Sequence, residues 1–161
     1  MATTKAYSAQ LLAVYALAIA FAQDRGQLTD DQAAALVREL ESLPGKMERL
    51  LEDEARIQWF ASKQIAAKDI FFIGRGLDYA ISLEGSLKMK EISYIHSEAY
   101  AAGELKHGTI SLITDGTPVI ALATQRKTLG KMISNVKEVK ARGAHVLLIT
   151  LEGLEVDPEC Y

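Results

Sequence analysis

Three short apolar runs constrain this chain more than any other feature. They are DIFFIG at 69–74, TPVIALAT at 117–124 and HVLLIT at 145–150. Each is too short for a helix and rich in branched or aromatic residues, which is how a strand buried on both faces reads. Between them the spacing turns helical, over 79–94 and over 129–142, the second helix stopping at Gly143. Strand, helix, strand, helix, strand at these intervals predicts right-handed parallel crossovers, and so an α/β domain with a parallel sheet. Three strands make a thin sheet. The tail EGLEVDPECY at 152–161 offers no further element.

The first 63 residues read differently. Helices are expected over 4–23, 29–43 and 46–63. Thr3 or Thr4 is available to cap the first and Gly26 to end it; Thr29 or Asp30 can cap the second, and Pro44-Gly45 should stop it. The third carries Met47, Leu50, Leu51, Ala55, Ile57 and Trp59 roughly along one side. The run LLAVYALAIAFA at 11–22 is the most hydrophobic stretch. At that length it falls short of the roughly 20 residues of a membrane span, and it only partly imitates a signal peptide, so a buried helix is expected.

Composition excludes some classes. A chain of 161 residues supports a domain with a real core, and 49% apolar with 24% charged residues is ordinary for a globular protein. A net charge of −3 gives no electrostatic case for nucleic acid. One cysteine, Cys160, forbids an intrachain disulfide framework and fits a cytoplasmic location; in a polar tail it does not read as a nucleophile.

Chemistry concentrates in one segment, EGSLKMKEISYIHSEAYAAGELKHG at 84–108, with four glutamates, three lysines and two histidines in 25 residues. Glu84 and Lys88 are four apart and Lys88 and Glu91 three apart, so a helix puts all three on one face. Two readings stand. One is a surface ion-pair lattice, which Lys90 could join. The other is an acid/base pair, with a carboxylate to move a proton and an ammonium to hold charge on a substrate oxygen. The helix follows the first strand and its glycine turn, and ligands of such sheets bind at the strands' C-terminal edge.

Gly74-Arg75-Gly76 suits either a structural turn or close approach to a ligand; it matches neither a dinucleotide fingerprint nor a phosphate-binding loop. His96 and His107, with Glu98 or Glu104, fit no zinc spacing, so no metal and no cofactor is expected. His107, between Lys106 and Gly108, fits proton transfer or a plain surface histidine. His145 opens a strand and reads as structural.

The 84–108 segment, together with GRGLDYAISLEG at 74–85 and ATTKAYSAQ at 2–10, resembles the glucosamine-6-phosphate synthase (glutamine:fructose-6-phosphate amidotransferase) family, over residues 2 to about 150. The resemblance implies a second sugar-isomerase (SIS) domain: a flavodoxin-like, Rossmann-like three-layer α/β/α sandwich around a parallel sheet, preceded by N-terminal helices. Residues 1–45 would be the helical segment between two SIS domains, and 46–161 the second SIS domain, shortened at its C-terminus. The family converts fructose 6-phosphate and glutamine to glucosamine 6-phosphate. By resemblance, Glu91 is the carboxylate shuttling a proton between C1 and C2, Lys88 its neighbour at the reacting end of the sugar, and Glu84 a residue orienting Lys88. His107 matches the histidine of ring opening, supplied to the adjoining subunit. Thr3 falls near the sugar phosphate, and Gly74 and Gly76, in the segment that resembles the start of the second SIS domain, are candidate substrate-binding residues with it.

The same resemblance implies a homodimer, a first SIS domain and a glutaminase domain in the full enzyme, a cytoplasmic location, and no nucleic-acid or membrane partner. The glutaminase domain, the first SIS domain with its phosphate loop, and the tail with the Schiff-base lysine have no counterpart in these 161 residues. The chain is therefore expected to be a fragment inactive by itself, with Met1 a start codon added at a cut. A non-catalytic sugar-phosphate-binding module and another phosphosugar isomerase or deglycase are the alternative readings.

Overall fold

The computed structural model describes residues 3–52, 54–154 and 156. Met1, Cys160 and most of the expected tail lie outside the described residues. The chain forms two compact units, Thr3–Trp59 and the α/β unit from Phe60 onward.

The first unit is helical. α1 spans Thr4–Asp24, α2 Asp30–Glu41, α3 Leu43–Leu51, and α4, Glu54–Lys63, runs into the second unit. Thr29 caps α2 through a reciprocal box: its Oγ1 accepts the Gln32 N–H at 3.3 Å, and the Gln32 side chain accepts the Thr29 N–H at 2.9 Å. Gly26 takes φ +66° past the end of α1, the left-handed conformation a glycine allows. Three expectations fail here. Thr3 occupies the N-cap of α1, but its side chain caps nothing. Pro44 does not stop a helix; it sits in the first turn of α3, where a missing N–H costs nothing, and Gly45 is helical. The expected single helix over 46–63 is two helices, α3 and α4.

The expectation that 11–22 is buried also fails. α1 has no buried residue, with Val14 60% and Phe21 61% exposed. Its apolar residues surround the axis, and α2 covers only one side. There Tyr15, Ala18 and Ile19 face Leu28, Leu36 and Leu40 across an apolar groove of about 400 Å³. At 21 residues and a mean hydropathy of 1.4, α1 is long and apolar enough to cross a membrane by length and composition alone.

The second unit is the predicted α/β domain. β1 (Asp69–Gly74) leads through a glycine turn into α5 (Leu77–Ser93), which returns to β2 (His96–Ala101). Two short 3-10 helices, Ala102–His107 and Thr109–Leu112, cross to β3 (Pro118–Ala123), and α6 (Leu129–Lys140) links it to β4 (His145–Thr150). The sheet is wholly parallel, in the order β2-β1-β3-β4. It thus has four strands where three were expected. β2 falls inside the stretch read as a loop or short helix. Its sequence HSEAYA hides it, because a strand at the sheet edge tolerates a polar, charged face.

Alternation along each strand builds two cores. Phe71, Ile73, Val119, Ala121 and Val146 point to one face, where Met132, Val136 and Val139 of α6 and Leu105 and Ile113 of the crossing segment cover them. Ile70, Phe72 and Ile120 point to the other, under Met89 of α5. The result is a three-layer α/β/α sandwich, as expected. α5 packs on β1 and β2, leaving Leu147 half-buried and Ile149 45% exposed on β4, the opposite edge.

Candidate functional site

The chain leaves β1 in one direction to form β2, while β3 lies on β1's other side, so the C-terminal ends of β1 and β3 flank a topological switch point. Gly74 closes β1 there for a steric reason. A Cβ on it would lie 2.5 Å from the carbonyl carbon of Asp78 and 2.7 Å from the amide nitrogen of Tyr79, so only glycine lets α5 start this close to the strand. Gly76 has φ +57° and ψ −122°, a conformation essentially reserved for glycine. Both glycines thus have structural reasons to be where they are.

Asp78, in the first turn of α5, is buried. Its carboxylate accepts the Thr124 N–H at 2.8 Å and the Thr124 hydroxyl at 2.5 Å, tying the start of α5 to the end of β3. The sequence reading missed this clamp. Its partners are 46 residues apart, and an acidic residue in a first helical turn is ordinary.

Glu84, Lys88 and Glu91 come together on α5 as their spacing requires. Lys88 Nζ donates to both carboxylate oxygens of Glu91 at 3.0 Å and lies 3.5 Å from Glu84 Oε1. Side-chain exposures are 14% for Lys88, 21% for Glu84 and 33% for Glu91. The lysine is therefore enclosed, and the Glu91 carboxylate is the accessible member. The Glu91 hydrogen bond raises the Lys88 pKa above its ordinary 10.5; partial desolvation opposes it, and the charges of Glu91 and Glu84 add to it. Lys88 is thus a fixed cation at neutral pH beside a reachable carboxylate. Lys88 lies 11 residues beyond the start of α5, about 17 Å along the axis at 1.5 Å per residue. The cluster thus stands well along α5 from the turn at the C-terminal edge of the sheet, where the helix begins.

His107 closes the 3-10 helix that follows β2, and its ring faces Glu104, with Nε2 3.8 Å from Oε2. Among the described residues no hydrogen bond or ion pair joins His107 to the α5 cluster. Thr3 lies exposed in the helical unit. His96 sits between Asp69 at 2.8 Å and Glu98 at 3.7 Å on the strand edge. The Glu98 carboxylate accepts the Tyr100 hydroxyl, and burial together with that bond pushes the Tyr100 pKa up to about 12. Among the described residues no group of three or more His, Cys, Asp or Glu side chains could hold a metal ion.

A parallel sheet with a switch point, sandwiched between helices and bearing a polar helix cluster, defines the class, and the family model of the SIS domain matches residues 65–155. The chain belongs to the SIS-domain family. Within it, the chain is 54% identical over 153 residues to the glutamine–fructose-6-phosphate aminotransferase (isomerizing) of Caldanaerobacter subterraneus, and 56% identical over 153 residues to that of Clostridium tetani. Each match covers 95% of this chain and 25% of the relative, so the chain spans about a quarter of their length. The C-terminal domain of glucosamine-fructose-6-phosphate aminotransferase from Francisella tularensis superposes with a TM-score of 0.87 at 38% identity, over 92% of this chain and 42% of that one. The match to the C-terminal, isomerase part of these enzymes agrees with the family that the 84–108 segment suggested.

Proposed function

We propose that this chain is the second SIS domain, residues 46–161, of an enzyme converting fructose 6-phosphate and glutamine to glucosamine 6-phosphate and glutamate, with residues 1–45 the helical segment before it. Its part is proton transfer in the ketose–aldose step. The observation that carries this reading is the Glu84–Lys88–Glu91 cluster, an enclosed ammonium held against a reachable carboxylate.

The chemistry asks for that pair. Moving a hydrogen between neighbouring carbons of a sugar needs one base able to serve both, and a cation beside the oxygen on which charge develops. Glu91 is the base, Lys88 the cation, and Glu84 keeps Lys88 in place. Ring opening is assigned to His107, acting across a subunit boundary. Thr3, Gly74 and Gly76 are assigned to substrate binding, the two glycines through the backbone they allow. Residues beyond this chain, in a first SIS domain and a glutaminase domain, would hold the phosphate and release ammonia. A cytoplasmic homodimer, with the apolar surface of α1 covered by protein, completes the proposal.

Titration with fructose 6-phosphate and glucosamine 6-phosphate, followed by chemical shifts, tests it. Saturable, sugar-selective binding is expected, weakened about tenfold or more by Lys88→Ala, as loss of a charged hydrogen bond implies. Glu91→Gln should leave binding largely intact and, in the full-length enzyme, abolish exchange of the C1/C2 hydrogen with solvent. Binding indifferent to Lys88→Ala, or C1/C2 exchange that survives Glu91→Gln, would refute the assignment. Sedimentation showing only monomer at high concentration would refute the dimer.

A further inference from the structure

A chain of four side chains runs from the turn before α5 to the residue beside His107. Arg75 donates from Nε and Nη2 to the side-chain oxygen of Asn135 on α6, at 3.0 and 2.9 Å. Asn135 is 4% exposed, and its amide nitrogen donates to Glu138 Oε2 at 3.3 Å. Glu138 Oε1 in turn holds Lys106 Nζ at 2.9 Å. The Arg75 guanidinium also lies against Gly103 in the 3-10 helix, where an added methyl would come within 3.0 Å of Nη2. Both ends of that helix, Ala102–His107, are therefore held, one by contact with Arg75 and the other through Lys106.

We infer that Arg75 is a positioning residue for His107, acting through Asn135, Glu138 and Lys106. The inference rests on the ring-opening role assigned to His107 above. A planar guanidinium donating two bonds to one buried amide oxygen fixes which way that amide faces, and so leaves its nitrogen for Glu138. Arg75 sits between β1 and the N-cap of α5. It thus relates the segment carrying His107 to the turn that launches the Glu84–Lys88–Glu91 helix. A histidine that must meet a sugar oxygen at hydrogen-bond distance gains from a segment held at both ends.

The test is amide hydrogen exchange of the full chain, read residue by residue, in Arg75→Ala, Glu138→Gln and the double variant. Each single substitution should speed exchange over residues 103–108 about tenfold, with β3 and β4 unchanged. Two links of one chain fail together, so the double variant should be no faster than the faster single one. Unchanged exchange, independent additive effects, or acceleration spread evenly through the sheet would overturn the inference. If Arg75→Ala does not fold, Lys106→Met cuts the other end on the surface and carries the same expectation. Magnetisation transfer between the anomers of fructose 6-phosphate separates this idea from the one beneath it. No acceleration of anomer exchange by an unsubstituted full-length enzyme carrying this domain would refute the His107 role and leave the exchange result to stand on its own. Acceleration that survives in Arg75→Ala would refute the positioning.

Discussion

Substituting Gly74 by alanine should do more damage than any other single methyl added to a glycine of the α/β unit at an ordinary φ. The new Cβ would stand 2.5, 2.6 and 2.7 Å from the Asp78 carbonyl carbon, its oxygen and the Tyr79 nitrogen, against 3.4 Å for ordinary contact. All three are backbone atoms, so no side chain can turn aside. α5 must move off the sheet by roughly 0.9 Å at its first turn, where Asp78 also holds Thr124. Overpacking costs about 1–3 kcal/mol, and a backbone obstacle puts this case at about 2–3. For a domain near 100 residues that lowers Tm by roughly 10–20 °C. Two other glycines calibrate the scale. At Gly85 the obstacle is the Phe72 ring at 2.9 Å, a side chain able to shift, so alanine should cost about 1 kcal/mol. At Gly130, in α6, nothing lies within 4 Å, and alanine should stabilise by up to about 0.5–1 kcal/mol through helix propensity. Thermal unfolding followed by the methyl signals of Val119 and Val136 reads the α/β unit specifically. A Gly74→Ala midpoint within about 2 °C of the unsubstituted chain, or above that of Gly85→Ala, would refute the argument that close backbone approach sets the position of α5.

Lys88 should titrate above 10.5 in a side-chain NMR titration, and Glu91→Gln should lower its pKa. Because the folded value is raised, the stabilisation is complete below the unfolded pKa and is lost as pH climbs through the folded one; unfolding against pH should show that loss only in the alkaline range. Tyr100 should release its proton near pH 12 by phenolate absorbance, and Glu98→Gln should bring it down only in part, since burial is the larger cause. Thr29→Ala removes one side of the capping box and should cost α2 about 1 kcal/mol, visible as faster amide exchange in its first turn.

What the sequence disclosed follows from the range of the interactions involved. β1 and β3 were legible because a strand covered on both faces is continuously apolar, and β4 because it keeps an apolar run although it lies at the sheet edge. Gly143 was legible because an αL residue after a helix is chemically distinctive. The Glu84–Lys88–Glu91 cluster is likewise local, and helical spacing alone brings those side chains together. β2 escaped notice because, as an edge strand, it needs no apolar run. The Asp78–Thr124 clamp and the Arg75–Asn135–Glu138–Lys106 chain escaped because each joins side chains from separate elements. The helical unit misled differently. Its apolar content argued for burial, yet Leu50 is 75% and Trp59 65% exposed, because composition does not say what covers a surface.

β4 bonds to β3 on one side, and among the described residues nothing pairs with its other edge, while Ile149 shows its side chain on the face α5 does not reach. Such an edge is a template. Its free N–H and C=O groups can accept a strand from another molecule, and an apolar side chain beside them rewards the encounter. Handled by itself at high concentration, this chain should therefore associate side by side through β4. A lysine at position 149 would act as a gatekeeper there, at little cost to the sandwich.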